Sequence, residues 1–149
     1  MMIKLAQEKQ QIDQPITQVF SYVTNMENYR NWFPGIDSIK AINNLEHGQV
    51  GKQYVETLSL PQGTVDLIIE VKEMEQNRLF MTQGDLEPLL PQMTINFSET
   101  SESSCIIELT YFSRNLELRA DDELIIGLAN DLSIRANEAV KELKRIMEC

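Results

Sequence analysis

Few side chains in this sequence are suited to chemistry, and Glu56 is the one whose position raises a question. It lies in a segment where Tyr54, Glu56, Leu58 and Leu60 alternate with Gln53, Val55, Thr57 and Ser59. Alternation of period two marks a strand, and it sets Glu56 on the apolar face. A carboxyl there raises its pKa or holds a partner, because leaving water penalises the charged form. Three readings stay open: a register slip or edge bulge that returns Glu56 to water, a polar anchor for a ligand headgroup, or a general acid or base. Glu56 is therefore the candidate catalytic residue. Tyr54 and Tyr111 fall on the same expected face and could hydrogen-bond either that carboxylate or a ligand oxygen.

Other chemistry is thin. His47 is the only histidine and sits in Leu45-Glu46-His47-Gly48, which reads as a solvated turn. With one histidine, no cysteine pair and no carboxylate-histidine spacing, neither a zinc site nor a Ser-His-Asp triad is expected, and no metal or cofactor is assigned. Gly48-x-x-Gly51 bends a hairpin rather than opening a helix, so it is not a phosphate loop. Two cysteines make no disulfide framework: Cys105 lies in a strand-like run and Cys149 is the last residue.

The elements that position these residues follow from periodicity. Asp13-Gln14-Pro15 leads into Ile16, Val19, Phe20 and Val23, the spacing of a short helix ending near Asn25. Met26, Tyr29, Trp32 and Phe33 repeat the spacing until Pro34-Gly35 stops it. Beyond Ile36 the period is two. Residues 53–60 and Val65, Leu67, Ile69 and Val71 read as a hairpin around Pro61-Gln62-Gly63. A Gln62-Gly63 turn would set Leu60 opposite Val65, Leu58 opposite Leu67 and Glu56 opposite Ile69. Further strands are expected near 78–83, at 93–98 with Met93, Ile95 and Phe97 on one face, and at 104–112 with Cys105, Ile107, Leu109 and Tyr111; Ile3 and Leu5 suggest another. Leu124, Leu128, Leu132, Ala136, Val140 and Leu143 then mark a long amphipathic helix, with Asp131, Arg135, Glu138, Lys141 and Lys144 on its opposite side. Gly127 in that helix suggests a close approach or a bend.

At 149 residues the chain suits one domain, 1–149, able to bury about 70% of its unfolded surface. Thirteen Lys plus Arg against 23 Asp plus Glu give a net charge of −10, which repels phosphate backbones and anionic headgroups, so nucleic acid is not an expected partner. Met1 to Gln11 lacks a signal-peptide apolar core and no run is long enough for a membrane span, so a cytoplasmic location is expected.

One strand, two short helices, about six antiparallel strands and one long helix form a distinctive order. Pro15 before Val19-Phe20-x-Tyr22-Val23, then Asn25 to Tyr29, then Asn31-Trp32-Phe33-Pro34-Gly35-Ile36, resembles the opening of the START-like (SRPBCC) superfamily. That group includes the polyketide cyclase/dehydrase and lipid-transport family, the birch-pollen allergen relatives and the coenzyme Q-binding proteins. The resemblance spans nearly the whole chain and concerns fold more than chemistry. It implies an α+β helix-grip fold, in which a curved antiparallel sheet of about seven strands wraps the C-terminal helix and leaves an apolar cavity between them.

On that scaffold the expected function is binding or transport of a small hydrophobic molecule, such as a lipid, polyketide-like or isoprenoid compound. The alternatives are a cyclase or dehydratase in which Glu56 or a tyrosine moves protons, and an interaction module related to activators of the Hsp90 ATPase. The expected inner face offers Tyr54, Glu56, Leu58, Leu67, Ile69, Ile95, Leu109 and Tyr111. Leu124 and Leu128 would cover it from the helix. The resemblance places Gly84 to Pro91 at the cavity mouth, where Leu86 and Leu89 suit a gate, a homodimer contact or ordinary packing against the start of the last helix. Trp32 belongs to the lid formed by the second short helix, as packing or as a ligand contact.

Overall fold

A computed structural model describes residues 2–60 and 63–149. The chain forms β1 (Ile3–Ile12), α1 (Ile16–Thr24), a 3-10 turn (Met26–Asn28), α2 (Tyr29–Trp32), β2 (Ile36–Ala41), β3 (Gln53–Leu60), β4 (Gly63–Glu75), β5 (Leu79–Gly84), β6 (Pro91–Ser101), β7 (Ser104–Ser113) and α3 (Glu123–Glu148). All neighbouring strands are antiparallel, in the order β1-β7-β6-β5-β4-β3-β2. Register shifts near Lys4, Ile36, Val71 and Glu99 interrupt the ladders, and such bulges bend strands and increase their twist. The curved sheet and the long helix make this the helix-grip architecture.

Alternation decides which face closes on the helix. Cys105, Ile107, Leu109 and Tyr111 of β7 and Met93, Ile95 and Phe97 of β6 are buried. Phe20 of α1 meets Phe97 edge-on at 4.9 Å, which fastens the first short helix to the sheet. Helix α3 buries Ile125 in its first turn and Ala136, Ala139, Val140 and Leu143 along its second half. Two contacts tie it to β1: Ser133 donates to the Leu5 carbonyl at 3.4 Å, and Asn137 donates to the Glu8 carboxylate at 2.9 Å.

Three expectations need correction. The β3–β4 ladder pairs Leu60 with Gly63, Leu58 with Val65, Glu56 with Leu67 and Tyr54 with Ile69. The register is displaced by two residues from the one expected of a Gln62-Gly63 turn, since Gly63 is already in the strand; Pro61 and Gln62 lie outside the described residues. A shift of two preserves the face, so Glu56 still points inward. Leu124 is 57% exposed and is no part of the core. A Cβ on Gly127 would meet nothing within 4 Å, so this glycine permits no close approach.

Candidate functional site

Between the sheet and the first half of α3 lies a cavity of about 200 Å³. Strands β3 and β4 supply Glu56, Leu58, Leu67 and Ile69 to its wall. Tyr111 comes from β7, Leu86 and Leu89 from the β5–β6 connection, and Leu128 from α3. These eight of the expected ligand-site residues are brought together. The other five are not: Ile95 and Leu109 are fully buried in the packed part of the sheet, and Leu124 is exposed. Trp32 is 1% exposed, packs edge-on against Tyr29 and Phe33, whose centroids lie at 5.0 and 6.4 Å, and does not line this cavity.

Tyr54 points inward and is fully buried, but it is not among the residues that line the cavity. Its hydroxyl accepts the Met26 N–H at 3.4 Å and lies 2.6 Å from His47 Nδ1, with the two rings stacked at 5.8 Å. Burial pushes the Tyr54 hydroxyl up to about 12, so it keeps its proton and donates it to Nδ1. The tautomer that accepts this proton at Nδ1 carries its own on Nε2, an assignment made from the hydrogen-bond pattern. Nε2 faces Glu27 Oε1 at 3.6 Å. His47 therefore does more than occupy a solvated turn: it links the β2–β3 connection to β3 and to the 3-10 turn.

Within the cavity the polar groups fall into three sets. Glu56 is 7% exposed and hydrogen-bonds to none of the described residues; burial pushes its carboxyl up to about 7. Tyr29 and Tyr111 hold their hydroxyls 2.5 Å apart, and Tyr111 donates to Met93 Sδ at 3.4 Å. Burial raises both phenols, so the pair stays protonated. Arg135 forms an ion pair with Asp131 at 2.9 Å. Its guanidinium rests on Gly35, where an added Cβ would lie 3.0 Å from Nη1, and the φ of +91° there itself favours glycine.

Asp131 and Arg135, expected on the solvent side of α3, do reach solvent, with side chains 58% and 38% exposed, and they also edge the cavity. The signal was present: Leu128, Asp131, Leu132 and Arg135 stand at steps of three and four, which set them on one flank of the helix. Tyr29, Phe33, Met93 and Thr82 also line the cavity and were not singled out as ligand contacts. The β5–β6 connection is tied down at several points. Ser113 donates to the Leu89 carbonyl at 2.5 Å, Asn115 donates to the Pro88 carbonyl at 2.7 Å, and Arg114 hydrogen-bonds the Gly84 carbonyl. Among the described residues no three of His, Cys, Asp or Glu gather to hold a metal ion. Nor is any helix among them long and apolar enough to cross a membrane.

No family model matches the sequence, and no curated protein matches it. Solved structures do match in shape. A START superfamily protein from Mycobacterium smegmatis superposes with a TM-score of 0.73 at 15% identity, over 96% of each chain. The Zhui aromatase/cyclase from Streptomyces sp. R1128 gives 0.75 at 11% identity, over 99% of this chain and 94% of its own. The di-domain aromatase/cyclase StfQ of the steffimycin biosynthetic pathway gives 0.74 at 9% identity over 99% of this chain, which spans about half (51%) of StfQ. At these identities the likeness is one of fold: this chain has the helix-grip fold of START-like proteins and polyketide aromatase/cyclases.

Proposed function

We propose that the chain binds a small hydrophobic molecule in the cavity between the sheet and α3. The supporting observation is the cavity itself, about 200 Å³ with a wall made largely of Leu, Ile, Met and aromatic side chains. An apolar cavity of about 150 Å³ is known to take up benzene, so this one has room for a one- or two-ring body or a short branched chain. Gentle purification followed by native mass spectrometry and organic extraction tests the reading. A stoichiometric apolar compound, or saturable uptake of an apolar fluorescent probe, is the expected result. A clean unliganded mass with no probe uptake would remove it.

A second reading is supported by Glu56. A carboxyl held near neutrality can both accept and donate a proton at physiological pH, and it faces the same cavity as two phenols. Two of the structural neighbours carry the name aromatase/cyclase. On this reading the cavity folds a reactive chain and Glu56 moves the proton. Replacing Glu56 by Gln would then abolish turnover of a defined substrate while leaving its binding intact.

A further inference from the structure

We propose that the preferred ligand is a lipophilic amine, whose ammonium group sits against Glu56 while its apolar body fills the cavity. The inference rests on the cavity being a binding site, and it concerns what that site leaves unmatched.

Charge is the first observation. Three groups in the wall can carry charge: Glu56, Asp131 and Arg135. Asp131 and Arg135 are paired with each other at 2.9 Å, so the cation in the wall is already matched. Glu56 faces the cavity from β3, more than nine-tenths buried and without a hydrogen bond to the described residues. What Glu56 lacks is therefore a hydrogen-bond donor, preferably a cationic one.

Hydroxyl accounting agrees. In the arrangement that satisfies both phenols, Tyr29 donates to Tyr111 and Tyr111 donates to Met93 Sδ. Neither proton is left for Glu56. The neighbours of Glu56 along the sheet, Ile39 on β2 and Leu67 on β4, are apolar and donate nothing from their side chains.

Ring geometry is the third observation. Tyr29 stacks on Phe33 at 5.1 Å and Phe33 meets Tyr111 edge-on at 5.6 Å, and all three line the cavity that holds Glu56. An aromatic wall with a carboxylate suits an alkylammonium group, which is attracted to ring faces as well as to the anion. The net charge of −10 raises the local concentration of cations around the molecule.

The pH dependence has a definite sign. An ammonium favours ionised Glu56, so its affinity rises with pH through about 7 and then levels off, while a neutral ligand gains nothing from the ionisation. Tyr29 and Tyr111 stay protonated across that range, and Asp131 is offset by Arg135.

The test compares 1-naphthylmethylamine, 1-naphthylmethanol and 1-naphthoate, three probes with one apolar body, titrated calorimetrically at pH 5.5 and pH 8. At pH 8 the amine is expected to bind about tenfold or more tighter than the alcohol, with the difference shrinking at pH 5.5. Glu56→Gln should erase the amine preference while keeping alcohol binding. The wild-type pH profile carries the test even if that variant folds poorly. Alcohol binding as tight as amine binding at pH 8 overturns the amine assignment and leaves the cavity reading standing. Preference for the naphthoate also overturns it, and makes Arg135 the anchor. If none of the three binds, both readings fall.

Discussion

Glu56 is inward-facing on β3 and hydrogen-bonds to none of the described residues, so its ionisation opposes folding. Its carboxyl titrates near 7 in the folded chain and near 4.5 when unfolded. Between those values the folded state holds a proton that the unfolded state has lost, so stability falls as pH rises through that window. At about 1.36 kcal/mol per pK unit, the loss is on the order of 3 kcal/mol by pH 8. Urea denaturation at pH 5 and pH 8 should show Glu56→Gln matching the wild type at the lower pH and exceeding it at the higher; equal stability at both would mean that the carboxyl is solvated. Tyr54 gives a contrasting case. Its hydroxyl is committed to Met26 and His47. Tyr54→Phe is expected to lower stability by about 1–3 kcal/mol, since a buried N–H loses its acceptor, without changing probe affinity in the cavity. A large affinity change in that variant would place Tyr54 in the ligand site after all.

The secondary elements were legible because period two and period 3.6 are local properties, and β3, β6, β7 and α3 carry them strongly. The wall of the cavity was less so. Tyr54, Glu56 and Leu58 share a face, yet Glu56 and Leu58 line the cavity while Tyr54 is closed off with its hydroxyl on Met26 and His47; alternation carries no information about which inward positions stay open. On α3, charge marks the solvent side, and the ion pair of Asp131 and Arg135 does reach water; what periodicity does not show is that the same flank edges the cavity. The helix is uneven along its length for the same reason. Its second half buries alanines and Val140 against the sheet; its first half spans the cavity, burying Ile125 but leaving Leu124, Ile126 and Ile134 exposed. Amide exchange should accordingly be faster over 124–134 than over 136–146, and ligand should slow the former selectively. Gly127 adds backbone freedom in that first half. Because its Cβ would meet nothing, Gly127→Ala should raise stability by about 0.5–1 kcal/mol, read as a higher thermal midpoint. A lower midpoint would show a packing constraint on the residue.

Across the whole molecule, the fold holds open a space that a packed core would close. A dry void of about 200 Å³ would forgo stability of up to roughly 5 kcal/mol at about 24 cal/mol per Å³, and water at the mouth reduces that figure. Ligand recovers part of the difference by mass action: at a hundred times its dissociation constant it adds about 2.7 kcal/mol. For a chain of 149 residues that corresponds to a rise in thermal midpoint of roughly 5–10 °C. Filling the space with protein should have the opposite signature. Leu132 lines the cavity from α3 and is only partly buried, so Leu132→Phe can project its extra ring atoms into the void with little displacement of neighbours. The variant is expected to melt higher than the wild type when unliganded and to lose most of the ligand-induced rise. Stability and binding then trade against each other through one volume, which a change acting only on surface contacts would not produce. A variant that melts lower and still responds fully to ligand would show that the bound molecule occupies some other part of the structure.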